Sequence, residues 1–164
     1  MIGAILGDII GSPYEFDRGD KTKDFPLFSK YSTYTDDSVM TLAVASAFLD
    51  VQPDASDDVI LETIDSRMRQ FGKMYPHAGY GGRFRQWLRN PDYKAYNSFG
   101  NGSAMRVSSV AWLYHDIASV RHAARLSAEV THNHPEGSKG AEATTSAIFL
   151  ARTGHSKKDI KVSR

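Results

Sequence analysis

Thr35, Asp36 and Asp37 are three consecutive hard-oxygen side chains at the head of an apolar run, Val39 to Leu49. A hydroxyl and two carboxylates held on one rigid turn are the donors that Mg²⁺, Mn²⁺ or Ca²⁺ select. The same residues also make an ordinary helix start. In that reading Thr35 is the N-cap and the acids complement the helix dipole, each contributing about 0.3–1 kcal/mol. Either way a helix is expected from Thr35 to Leu49.

Three further groups carry chemistry. Glu15 stands between Tyr14 and Phe16, aromatic neighbours that can desolvate a carboxyl and raise its pKa. Gly100-Asn101-Gly102-Ser103-Ala104-Met105-Arg106 is a glycine-rich turn leading into a helix expected over Ala104 to about Tyr114. Its backbone N–H groups could hold a phosphate, with Ser103 and Arg106 nearby, or the turn could be a plain helix cap. His132 and His134 alternate as metal ligands do, but two histidines leave a zinc site incomplete.

The elements that must position these groups read as helices. Gly3, Gly7 and Gly11 form a stripe on an apolar first helix, a pattern that permits close approach of another backbone. Asp8, the one charge in that segment, is expected to be paired or to bind something. Ser12-Pro13 ends this helix, and residues 17 to 34 lack any period and read as a long loop. Ser56-Asp57-Asp58 caps a helix to about Met74, with Val59, Ile60, Thr63, Ile64 and Phe71 near one face. Short helical patterns follow at Arg83 to Asn90 and Ile117 to Val130. A further helix, Glu136 to Arg152, is rich in small residues suited to tight contacts, and Ser156 to Asp159 forms a capping box. No segment alternates convincingly, so the fold class is all-α.

Length and composition bound the rest. With 164 residues, 41% hydrophobic and 24% charged, the sequence fits a single domain over 1–164 with one core. A net charge of +1 provides no global field to attract nucleic acid or a membrane surface. The absence of cysteine fits a reducing compartment. The apolar start lacks a basic n-region and is too short to span a bilayer, so a cytoplasmic protein is expected. The capping box at Ser156 begins a helix with little length left before Arg164, which reads as an incomplete C-terminus.

Taken in order, Gly3 to Glu15, Thr35 to Ser38, Gly100 to Arg106 and Thr131 to His134 resemble the motifs of the ADP-ribosylglycohydrolase family. That family includes the hydrolase that reactivates dinitrogenase reductase and the ADP-ribosylhydrolases that clear modified arginine or serine. The resemblance implies a compact orthogonal multi-helix domain, here its N-terminal portion, with two divalent cations, Mg²⁺ or Mn²⁺, beside an ADP-ribose cleft. By resemblance, Thr35, Asp36 and Asp37 are metal ligands, with Glu15, Asp36 and Asp37 as the catalytic acids. Gly100, Asn101, Gly102, Ser103 and Met105 are the diphosphate and ribose loop. His132 is a ligand-contacting residue, and Tyr80 and Gly81 lie near the distal ribose. Family members also carry an Asp-x-Asp-Thr cluster toward the end of a longer chain, and no counterpart follows Asp37 here. This chain could therefore hold one cation or none.

The implied activity is metal-dependent cleavage of the glycosidic bond between ADP-ribose and a protein side chain, an arginine-type N-glycoside first. The implied partners are ADP-ribose or an ADP-ribosylated protein. The alternatives are a non-catalytic ADP-ribose or nucleotide-binding module, or a fragment that needs a partner to supply the missing helices.

Overall fold

The computed structural model describes residues 1–15, 22–52 and 54–162. Among them the chain is all-α, with no strand. The helices are α1 (Ile2–Gly11), α2 (Asp36–Asp50), α3 (Asp57–Met74), α4 (Gly82–Arg89), α5 (Gly102–Met105), α6 (Ile117–Glu129), α7 (Pro135–Arg152) and α8 (Lys157–Val162). Short 3-10 turns occupy Ser12–Tyr14 and Val110–Trp112.

Two pairings, α2 with α3 and α6 with α7, make the most extensive helix contacts. From α2, Met40, Ala43, Val44 and Ala47 are wholly buried. From α3 the buried stripe is Ile60, Ile64, Met68 and Gly72, spaced by four as one helical face requires. Each fully buried aliphatic side chain contributes about 1.5–3 kcal/mol. Of the face expected from sequence only Ile60 and Ile64 belong to this stripe; Thr63 and Phe71 are half-buried beside it, Val59 is exposed, and Met68 and Gly72 take their places. Gly72 lets α3 approach α4 closely: a Cβ there would lie 2.5 Å from a Leu88 methyl, which would have to move aside. On α7 the buried residues Gly137, Ala141, Thr145 and Phe149 repeat the same spacing, and this helix packs against α6 and α5.

The helix expected from Ala104 to about Tyr114 does not form. Only one turn, α5, exists before the chain leaves helical geometry and re-forms as the 3-10 turn at Val110–Trp112. Val107, Ser108, Ser109 and Val110 are poor helix-interior residues, and Ser108 and Ser109 offer hydroxyls that compete for the backbone. The Thr41 hydroxyl also donates to the Met105 carbonyl at 3.2 Å, a bond from outside the helix.

The glycine stripe of α1 behaves differently from expectation as well. A Cβ at Gly3, Gly7 or Gly11 would meet nothing within 4 Å, so no backbone packs against it among the described residues. Although α1 is the most apolar helix of the chain, its one buried residue is Asp8. Ile2 is 73% exposed and Trp112, beside it, 56%. Between them lies an apolar hollow of about 530 Å³ bounded also by Ala45, Leu49 and Leu113. No helix among the described residues is long and apolar enough to cross a membrane.

Candidate functional site

The site is organised by Asp8. Its Oδ2 accepts from the Thr35 amide at 2.8 Å, the Ser38 amide at 3.1 Å and the Ser38 hydroxyl at 2.5 Å. Its Oδ1 accepts from the Thr35 hydroxyl at 2.6 Å. Thr35 occupies the N-cap position of α2, yet its side chain makes no capping bond. The free amide of the first turn at Ser38 is satisfied instead by a carboxylate from another helix, which does the work that sequence reasoning assigned to Thr35. Ser12 anchors the same junction, accepting from the Thr33 amide at 3.0 Å and donating to the Ile9 carbonyl at 3.1 Å.

This clamp has a chemical consequence. Because the Thr35 hydroxyl donates its O–H to Asp8, its lone pairs remain available to a cation. Oxygen atoms of Asp8, Glu15 and Asp37 lie within 4.8 Å of one another. These are hard oxygen donors of the kind that Mg²⁺ and Mn²⁺ prefer, so the residues present fit a divalent cation. Their electrostatics agree. Burial, followed by the charges of Asp8 and Glu15, pushes the Asp37 carboxyl up to about 6. Burial, followed by Asp37, pushes Asp36 up to about 6 as well. Carboxylates crowded in this way gain from a nearby cation. Asp8 is absent from the site predicted from sequence; its signal was there, as a lone charge in an apolar segment.

Asp36 and Asp37 do not share one chamber. Asp37, Asp8 and Glu15 open onto a groove of about 680 Å³ whose wall includes Gly3, Gly7 and Gly11. Asp36 lines a cleft of about 300 Å³ beside it, together with Gly81, Gly100, Asn101, Gly102 and His132. Successive residues on a helix project about 100° apart, so the two acids turn toward different hollows, although Asp36 still feels the charges of Asp37, Glu15 and Asp8. Met105 borders both.

Most of the glycine loop is where sequence placed it, on the cleft, but two expected contacts are not. The Ser103 hydroxyl is buried and donates to the Gly137 carbonyl at 2.7 Å, joining α5 to α7. Tyr80 is buried against Phe84, with ring centroids 5.5 Å apart, and lines a separate cavity beside Gly72 and Arg85. Burial, then Asp36, pushes its phenol up to about 12. Because α5 is a single turn, it offers individual amides and no long helix dipole.

His132 and His134 have separate structural roles. The His134 Nδ1 accepts from the Glu136 amide at 3.1 Å and caps α7, which removes the alternate-histidine metal reading. His132 is 5% exposed and is held between two glycines. A Cβ at Gly102 would come within 2.8 Å of its ring, and one at Gly137 within 2.8 Å of its carbonyl. Burial, then the cations Arg106 and Arg83, lowers its imidazole to about 3, so it is neutral at physiological pH. The expectation that Tyr14 and Phe16 enclose Glu15 lies partly outside the described residues, since Phe16 is among those not described. Tyr14 itself packs edge-on against Phe25, 5.1 Å between centroids.

Comparison with known proteins agrees with this arrangement of motifs. The chain is 31% identical to the ADP-ribosylhydrolase ARH3 of Homo sapiens, over 95% of this chain and 50% of that protein. It is 30% identical to ADP-ribosylhydrolase ARH3 of Mus musculus, over 94% of this chain and 48% of that protein. It thus spans about half the length of the curated relatives it matches. The family model for ADP-ribosylglycohydrolase matches residues 1–163, and the chain belongs to that family.

Proposed function

We propose that this chain carries the cation-binding and ligand-binding half of a hydrolase that releases ADP-ribose from a glycosidic linkage to a protein side chain. One observation carries the reading. Oxygen atoms of Asp8, Glu15 and Asp37 gather at the N-terminus of α2, where Asp8 also bonds the Thr35 hydroxyl, while Asp36 and the Asn101 loop line a cleft beside them.

In this reading Asp37, Glu15 and the Thr35 hydroxyl hold a divalent cation, Mg²⁺ or Mn²⁺, with Asp8 as their anchor. Bound there, the cation supplies charge stabilisation and orients hydroxyl groups of the sugar. The amides of Gly100 to Gly102 receive the diphosphate, and His132 contacts the nucleotide as a neutral group. Glu15 then handles a proton, either taking it from the attacking water or giving it to the leaving group. The anomeric carbon develops oxocarbenium character, which a nearby anionic carboxylate stabilises. The finer reading of the substrate is an arginine-type N-glycoside, tested beside a serine-linked one.

The exposed apolar face of α1 suits cover by further helices, which would also bring additional oxygen ligands to a groove with three clustered carboxylates among the described residues. That small ligand set also favours a second reading, a binding module that holds ADP-ribose without turnover. Calorimetry separates the two. Titration with Mn²⁺ and then ADP-ribose should show nucleotide affinity that rises with the cation in the hydrolase reading. Affinity indifferent to the cation supports the module, and no heat from either ligand removes both. Release of ADP-ribose from a modified arginine or serine peptide, lost in Glu15→Gln, completes the test.

A further inference from the structure

Arg106 is 1% exposed and pairs with no carboxylate among the described residues. Burying a guanidinium without a counter-charge is costly, so its hydrogen bonds must matter to the fold or the site. One terminal nitrogen donates to the Ser127 carbonyl at 2.5 Å and to the Thr131 hydroxyl at 3.0 Å. The Thr131 hydroxyl is in turn 2.8 Å from Nδ1 of His132. Thr131 is wholly buried.

Proton accounting along this chain has one simple solution. Guanidinium only donates, so Thr131 accepts from Arg106 and keeps its own O–H. Its second lone pair could also take an Nδ1–H of His132, but the buried Thr131 O–H would then be left without an acceptor, since Nδ1 is its one remaining partner among the described residues; donation from Thr131 to Nδ1 satisfies both groups. Nδ1 is then unprotonated, and the single ring proton of a neutral imidazole resides on Nε2. The ring edge that carries Nε2 is the one pressed against the glycine loop. Nε2 would lie 2.8 Å from a Cβ at Gly102 and 3.9 Å from one at Gly100.

We propose that Arg106 and Thr131 are positioning residues that fix His132 in its Nε2–H tautomer, so that a neutral donor is presented at the edge of the cleft to an acceptor atom of the bound nucleotide. Arg106 itself is lowered to about 10 by burial and remains cationic at neutral pH, which opposes a second charge on the ring. The tautomer follows from this chain's own hydrogen bonds, while the identity of the acceptor rests on the ADP-ribose reading given above.

The test is ¹⁵N NMR of the full chain labelled at histidine, with the His132 signals assigned by their loss in His132→Asn. The expected pattern is an unprotonated Nδ1 and a protonated Nε2 in the wild type. Thr131→Val, which keeps the shape and removes the hydroxyl, should shift His132 toward Nδ1–H or a mixture, and Thr131→Ser should restore the wild-type pattern. ADP-ribose affinity should fall by about 5–10-fold in Thr131→Val, the effect of one hydrogen bond, and stay within about 2-fold in Thr131→Ser. An Nδ1–H tautomer in the wild type overturns the relay, as does a pattern unchanged in Thr131→Val. The wild-type spectrum decides the matter even if a variant fails to fold. If the tautomer behaves as expected and ADP-ribose does not bind, the relay stands and the ligand assignment falls. If ADP-ribose binds and the tautomer is wrong, the reverse holds.

Discussion

Asp8 accepts hydrogen bonds from both the amide and the hydroxyl of Thr35, at 2.8 and 2.6 Å, although the two residues lie 27 positions apart. One carboxylate therefore caps α2, fixes the orientation of the Thr35 oxygen and holds α1 to the body of the protein.

Asp8→Asn places an amide N–H₂ or a poorer acceptor where up to four donors converge, which leaves buried donors unsatisfied. The expected loss is about 2–4 kcal/mol in urea denaturation. Mn²⁺ affinity should fall by at least about tenfold, because the Thr35 oxygen loses its alignment. Unchanged stability would show that the clamp is not formed in solution.

The crowded acids predict a pH dependence. Asp36 and Asp37 titrate near 6 in the folded chain against 3.8 without these neighbours, so between those values the folded state binds more protons than the unfolded. Their contribution is fully present below about 3.8 and is lost as pH rises through about 6. After discounting for solvent at the groove, this is on the order of 1–2 kcal/mol for each group. A cation reverses the trend, since it binds the ionised forms. The rise in Tm on adding Mn²⁺ should therefore be larger at about pH 7.5 than at about pH 5. Asp37→Asn should raise the metal-free Tm at the higher pH and abolish the Mn²⁺ effect.

Glycine to alanine changes should act with opposite signs. At Gly137 a Cβ meets the Ser98 and His132 carbonyls at 2.7 and 2.8 Å, backbone atoms that cannot move aside without displacing the cleft. A loss of about 2–4 kcal/mol is expected by thermal or urea denaturation. At Gly7 a Cβ meets nothing within 4 Å, so Gly7→Ala should stabilise the chain by about 0.5–1 kcal/mol through helix propensity. The same methyl projects at the wall of the groove and should weaken Mn²⁺ or ligand binding there.

The apolar hollow where α1 meets the end of α2 and the 3-10 turn at Val110–Trp112 can be probed directly. Leu49 is 78% exposed and Trp112 56%, so Leu49→Gln with Trp112→Gln should change stability by less than about 0.5 kcal/mol. The pair should also lower binding of a hydrophobic dye and reduce self-association in sedimentation experiments. A large destabilisation would mean that these side chains pack within the chain itself.

Helix identity was legible because apolar spacing and caps are local. The capping box at Ser156 is present, with the Ser156 amide 2.9 Å from Asp159 Oδ2 and the Asp159 amide 3.3 Å from the Ser156 hydroxyl. What sequence could not separate was Thr35-Asp36-Asp37 from Ser56-Asp57-Asp58, two starts alike in chemistry. Ser56 caps its own helix by accepting from the Val59 amide, and Asp57 meets His122 on the surface at 2.8 Å. Thr35 gives its cap to Asp8, a partner that only the tertiary fold supplies. The end of the helix at Met105 is likewise not local, since the bond from Thr41 and the inward course of Arg106 are long-range interactions. Ser103 and Tyr80 were assigned to the cleft by motif, and the direction of a side chain is not contained in a motif.

The first turn of α2 sends one acid to the groove and its neighbour to the cleft. Occupants of the two chambers therefore share a single wall and a single pool of negative charge. Thermodynamic reciprocity then fixes a relation between them: whatever a cation on one side does to the affinity of a nucleotide on the other, the nucleotide must do in equal measure to the cation.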